Sequence, residues 1–186
     1  MPMKEILKET RERMDKAVEH LRHELANIRT GKATTALLDG IRVEYYGNPT
    51  PLNQLSTVSV MDPHTLSIQP WDRSALGAIE KAILASELGL NPSNDGNLIR
   101  IPIPPLNEER RRELVKLTRR YGEDARIALR NIRRDAIEHL KKAEKEEHVS
   151  EDERKRAEQQ VQDIIDEHTK RVEDLLDMKE KEIMEV

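Results

Sequence analysis

Cysteine is absent from this 186-residue sequence, which excludes disulfides, thiolate metal sites and cysteine nucleophiles. Phenylalanine is absent too, and the large rings amount to one Trp and three Tyr. So few bulky side chains argue against one wide core and for long helices sharing a narrow aliphatic seam. No apolar run is long enough to cross a membrane, and the charged N-terminus carries no signal-like apolar region. The expectation is a soluble cytoplasmic protein with no membrane partner. No Gly-rich loop ends in Lys-Ser or Lys-Thr, so no nucleotide hydrolysis of its own is expected. No zinc-type spacing appears. His20 and His23 lie three apart on a helix without a third ligand, which favours a place on the bundle surface over a metal site. His168 falls on an apolar stripe and reads as a satisfied interior or boundary histidine. Glu44 and Asp62 have no spacing that opposes them as an acid/base pair. The sequence therefore predicts no enzyme, no cofactor and no metal.

What is abundant is charge: 32 Lys and Arg against 36 Asp and Glu, a net of −4. Its distribution is uneven. Residues 31–105 are poor in charge and hold most of the prolines and glycines, whereas the flanks are densely charged. The flanks show helical periodicity. Leu7, Met14, Ala17, Leu21 and Ile28 stripe a first helix over residues 3–30, closed by Thr30 and a left-handed Gly31. A second helix runs from about 108 to 147, with Leu114, Leu117, Tyr121, Ala125, Ala128, Ile132 and Ala136 on one face. Gly122 interrupts it at a cost of ~1 kcal/mol against Ala and marks a bend or a close helix contact. Ser150 with Glu153 forms a capping box for a third helix seamed by Val161, Ile165, His168, Val172 and Leu175.

The middle segment alternates with period two. Strands are expected at 41–45, 57–60, 65–68 and 98–101, with turns at Gly47-Asn48-Pro49 and Asp62-Pro63-His64. Asp72 or Ser74 caps a helix reaching about Leu88, whose Leu76, Ile79, Ile83 and Leu84 cover the sheet. Prolines around the last strand mark it as an edge. The predicted fold is α+β: a long three-helix bundle (1–30 and 106–186) with an inserted α/β sandwich domain (31–105), of a size common for a small domain. Thr30-Gly31 and Pro104-Pro105 are the only connections, placed as a hinge requires; a rigid elbow is the other reading of the same residues.

The candidate site lies on the second long helix. Arg112, Arg119, Arg126 and Arg133 are seven apart, and Arg130 falls between the last two. Seven residues fall short of two turns by ~20°, so these arginines share a side. The stripe runs about 30 Å at ~1.5 Å per residue. Such a row is either a solvated face laced by Glu109, Glu113 and Glu123, or a phosphate-binding face. Pattern alone leaves the two level. Local balance favours the second, because residues 108–142 carry 12 bases and 7 acids while residues 144–186 carry 16 acids and 8 bases.

Several ordered blocks closely resemble the bacterial ribosome recycling factor family over nearly the whole chain. They are Ile28-Arg29-Thr30-Gly31-Lys32-Ala33, Leu37-Leu38-Asp39-Gly40-Ile41, Val43-Glu44-Tyr45-Tyr46-Gly47, Leu88-Gly89-Leu90-Asn91-Pro92, Pro104-Pro105-Leu106 with Glu108-Glu109-Arg110-Arg111, and Arg130-Asn131-Ile132-Arg133-Arg134-Asp135-Ala136. The resemblance implies an L-shaped monomer similar in size to a transfer RNA, with the two domains joined at a flexible elbow. It implies binding to large-subunit ribosomal RNA through the bundle, and joint action with elongation factor G and GTP to split post-termination ribosomes. It assigns RNA contact to Arg130 and Arg133 and, by extension, to Arg126, Arg111 and Arg29. Lys32 stands where the family commonly has arginine, which keeps charge but loses the fork geometry. The competing reading is a helical adaptor or chaperone-like rod, which needs neither the insert nor the arginines.

Overall fold

The computed structural model describes residues 2–185. In chain order its elements are α1 (Met3–Ala26), β1 (Arg42–Tyr45), β2 (Asn48–Pro51), β3 (Ser56–Asp62), β4 (Thr65–Pro70), α2 (Leu76–Ala85), β5 (Ser93–Asn94), β6 (Ile99–Pro102), α3 (Glu108–Glu146) and α4 (Glu151–Met184). Two compact units result: Met1–Arg29 with Asn107–Val186, and Thr30–Leu106.

The first unit is a bundle of α1, α3 and α4. Ion pairs give the directions. Arg11 pairs with Glu167 and Asp15 with Arg171, so α1 and α4 run parallel. Arg119 pairs with Glu180 and Arg126 with Glu173, so α3 runs against α4. Residues that sequence periodicity placed on the seams are in part displaced by one position. On α3 the buried residues include Thr118, Gly122 and Leu129, while Leu117, Tyr121 and Ala128 are only half-buried. On α4 Leu176 is buried and Leu175 half-buried. Small and hydroxylated residues carry this register, and Thr118 satisfies its buried hydroxyl by donating to Leu114 O at 2.8 Å.

Gly122 explains the displacement. Helix α3 passes through it unbroken. A Cβ there would run into Leu176 Cδ1 and stand 2.8 Å from its Cδ2, so α3 and α4 meet at a spot where only hydrogen fits. The close helix contact, and not an interruption, is what the glycine provides.

Helix α1 stops earlier than expected, at Ala26. The Ile28 N–H donates to Leu25 O at 3.1 Å, a step of three that tightens the last turn. Gly31 does have a left-handed φ of 77°, but it lies past the helix, in the connection.

His168 is fully buried on the α4 seam. Its Nδ1 meets Ile164 O and its Nε2 meets Asp15 Oδ1, both at 2.6 Å. A carbonyl and a carboxylate oxygen can only accept, so each ring nitrogen faces an acceptor. Asp15 also accepts from Arg171 at 3.0 Å. The hydrogen bond from His168 is the chief cause holding the Asp15 carboxyl below its ordinary value; partial burial opposes it, and Arg171 adds to it. A carboxyl lowered on folding stabilises the native state above its unfolded value, and that contribution is lost as pH falls through the folded one. Urea unfolding of Asp15→Asn should therefore show lower stability at pH 7 and a shallower loss between about pH 5 and 3 than the wild type. Equal slopes would mean the carboxylate is not coupled to folding. His20 and His23, by contrast, are exposed and reach Glu24 and Glu19 one turn away in opposite directions.

The second unit contains a four-stranded antiparallel sheet in the order β3-β4-β6-β5 and a separate β1-β2 hairpin. Leu66, Ile68, Ile99 and Ile101 of the sheet close with Ile79 and Ile83 of α2 and Val43 of β1 into one core. The last long strand, β6, is not an edge: β4 and β5 flank it. Pro102 fits because it stands at the end of the strand, opposite Thr65. The first hairpin turns at Tyr46 and Gly47, both with positive φ, which leaves Asn48 and Pro49 in the paired strand β2 and not in a turn. Asp72 accepts from Ser74 N and so caps the 3-10 turn Arg73–Ala75, whereas α2 starts at Leu76 without a side-chain cap, ends at Ala85 and leaves Leu84 facing outward.

The entering and leaving segments of this unit are fastened to one turn. Ala33 N–H donates to Pro63 O and Ile103 N–H to His64 O, each at 2.7 Å, and His64 Nδ1 donates to Gly31 O at 3.1 Å. A Cβ on Gly31 would lie 3.0 Å from the backbone nitrogen of Leu106.

Candidate nucleic-acid interface

Asn107 opens α3 by accepting from Arg110 N at 2.7 Å, with Glu108 and Glu109 in the first turn where the helix dipole favours acids. From there the helix carries its arginines, and their environments divide them. Arg119 Nε donates to Glu180 at 3.0 Å. Arg126 is half-buried and donates to Glu173 from Nε at 2.9 Å and from Nη2 at 2.6 Å. The Glu173 bond is the main cause of the raised pKa of Arg126. These two arginines are rungs of a ladder between antiparallel helices: α3 advances seven residues as α4 retreats seven. Arg112 is exposed and, among the described residues, pairs only with Glu108, one turn back.

The next rung is missing. Asp166 stands seven residues before Glu173, but its carboxylate is shorter by one carbon and accepts from Gln162 Nε2 at 2.9 Å. Asp135 is also diverted, accepting from Arg13 of α1 at 3.1 Å. Arg133 is left half-buried with no ion pair or hydrogen bond among the described residues. It lines a cleft with Arg126, Arg130, Gln162 and Asp166, and a second groove with Arg130, Asn131, Arg134 and Lys141. Glu138 is the one carboxylate on that second groove.

Arg130 donates to Glu123 Oε1 at 3.1 Å, and Arg126 Nη1 to Glu123 Oε2 at 3.4 Å. The Arg130 bond is the largest of the causes holding the Glu123 carboxyl below its usual value. Among the described residues Arg134 bonds only the neutral amide of Asn131, at 2.9 Å. The arrangement places several fixed or free cations along two turns of helix, suited to oxyanions spaced as in a phosphate backbone.

The structure thus brings Arg126, Arg130 and Arg133 together. Arg111 stands about 22 Å earlier along α3 at ~1.5 Å per residue. It is half-buried beside Glu108, and its Nε has no hydrogen-bond partner among the described residues. Arg29 is exposed at the far end of α1's connection. Arg134 and Lys141 complete the groove, and sequence reasoning did not single them out as site residues. Their signal was the second heptad row Arg120, Ile127, Arg134 and Lys141. Thr30 and Gly31, with Pro104 and Pro105, fall at the two ends of the second unit.

Fold and site define a three-helix-bundle protein with an α/β insert and a cationic cleft on the bundle's central helix in sequence. No helix among the described residues is long and apolar enough to cross a membrane. The chain belongs to the ribosome recycling factor family, whose pattern it matches over residues 21–184. A ribosome-recycling factor from Symbiobacterium thermophilum is 58% identical over 98% of this chain and 99% of its own. Another, from Oleidesulfovibrio alaskensis, is 55% identical over 99% and 100%. The solution structure of a ribosome recycling factor, 47% identical, covers 100% of this chain and 99% of its own with a TM-score of 0.79. A further structural relative is the T. thermophilus ribosome recycling factor, described with E. coli elongation factor G bound to the E. coli post-termination complex. It is 54% identical, covers both chains fully and has a TM-score of 0.65.

Proposed function

We propose that this protein works with elongation factor G and GTP to split post-termination ribosomes into subunits, as a non-enzymatic monomer in the cytoplasm. The bundle binds large-subunit ribosomal RNA through Arg130 and Arg133, with Arg126, Arg111 and Arg29 as further contacts. The carrying observation is Arg133: a half-buried arginine whose rung partner is too short and otherwise engaged, left open in a basic cleft. Its task is phosphate positioning, since duplex RNA is read largely by shape and backbone. The links at Thr30-Gly31 and Pro104-Pro105 act as the hinge through which elongation factor G moves the small unit. GTP hydrolysis belongs to elongation factor G, which accords with a sequence lacking a nucleotide loop.

The test is light scattering of post-termination ribosomes. Scattering should fall only when this protein, elongation factor G and GTP are all present. No fall with an elongation factor proven active would return the chain to the helical adaptor reading.

A further inference from the structure

We propose that Glu123 is a built-in counter-charge that competes with RNA phosphates for Arg130 and thereby limits how long the protein stays bound. This rests on the reading of the α3 cleft as an RNA site.

Arg130 and Glu123 are seven residues apart, two helical turns, farther than the usual three- or four-residue surface pair. Arg130 reaches back along the helix to make the contact, in the direction helical side chains naturally lean. Glu123 is the only carboxylate that Arg130 meets among the described residues. The same glutamate accepts from Nη1 of Arg126, whose other two nitrogens donate to Glu173.

Energetics then separate Arg130 from Arg133. Arg133 has no acid to give up, so a phosphate adds a charge-assisted bond. Arg130 must exchange its carboxylate for a phosphate, losing one such bond as it gains another. A carboxylate left among phosphates adds repulsion, modest because both groups are about half exposed and screened. Arg130 is therefore present in the cleft but discounted, and Glu123 sets the discount.

The variant Glu123→Gln keeps the shape and removes the charge. Binding to purified large ribosomal subunits at ~100 mM salt should tighten about three- to tenfold, mostly through slower dissociation. The salt dependence should steepen by about one charge. Adding Arg130→Gln to Glu123→Gln should erase most of the gain, leaving affinity close to that of Arg130→Gln alone apart from the modest repulsion removed with the carboxylate. Wild-type binding with an unchanged Glu123→Gln would overturn the proposal, and so would weaker binding, which would make the carboxylate an orienting partner. Wild-type binding insensitive to salt would remove the RNA reading itself, and the proposal with it. Because Glu123 is exposed, thermal unfolding should move little and report that the variant is folded.

Discussion

Arg133→Ala should weaken binding to the large ribosomal subunit about tenfold at ~100 mM salt, the worth of one charge-assisted contact. It should also flatten the salt dependence by about one charge. Thermal stability should hardly change, because no partner is left unpaired. Arg119→Ala is the internal comparison. It sits on the same side of the same helix, but its guanidinium belongs to Glu180. Its loss should cost ~0.2–1 kcal/mol of stability, as for an exposed pair, and leave affinity nearly intact. If the two variants behave alike in binding, the cleft has no special role and the arginines are a generic basic face. If Arg133→Ala lowers stability and spares binding, the ion-paired face is the correct description. Arg130→Ala with Arg133→Ala should lose more than either alone, though residues one turn apart are not expected to add.

Gly122 and its contact Leu176 should give the largest stability effects. An alanine gains ~1 kcal/mol of helix propensity over glycine, but overpacking a tight contact costs ~1–3 kcal/mol. Leu176 decides the sign. Its Cγ as well as both methyls lie within 3.1 Å of the new Cβ, and the residue is buried. A single methyl swing does not clear that space, so the whole side chain must turn within the seam. Gly122→Ala should cost about 1 kcal/mol net and Gly122→Val about 3 kcal/mol. For a chain of this length the larger loss lowers the melting temperature by ~6–12 °C. Leu176→Ala alone should cost ~2–5 kcal/mol through its cavity. Combining it with Gly122→Ala should cost clearly less than the sum, since the added methyl enters the space vacated. Additive losses in denaturant titrations would show that the two residues do not share a contact.

These two residues also show what the sequence could and could not reveal. Helices α3 and α4 were legible because their apolar period persists over many turns. The register was not, because the seam is completed by Thr118 and Gly122, which no hydrophobic pattern marks. The small unit's strands were visible as alternation, whereas β2 was hidden by Asn48-Pro49, residues that usually signal a turn. Its pairing follows from Tyr46 and Gly47 turning the chain two residues earlier than the proline suggests. In the cleft, arginine spacing was plain. Which arginines are committed depended on acids from elsewhere: Glu173 and Glu180 on α4, and Arg13 drawing Asp135 toward α1. No spacing within α3 carries that information.

The turn at Pro63 and His64 has a consequence for folding. By holding both ends of the insert, it makes a long excursion of chain equivalent to a short tether between α1 and α3. Closing a loop costs entropy that rises with its length, so a disordered insert would tax the assembly of the bundle. Once the small unit has formed, that cost is already met, and the first and third segments of a discontinuous bundle meet almost as neighbours in sequence. Order of assembly is thereby biased: the insert first, then the helices that surround its two ends.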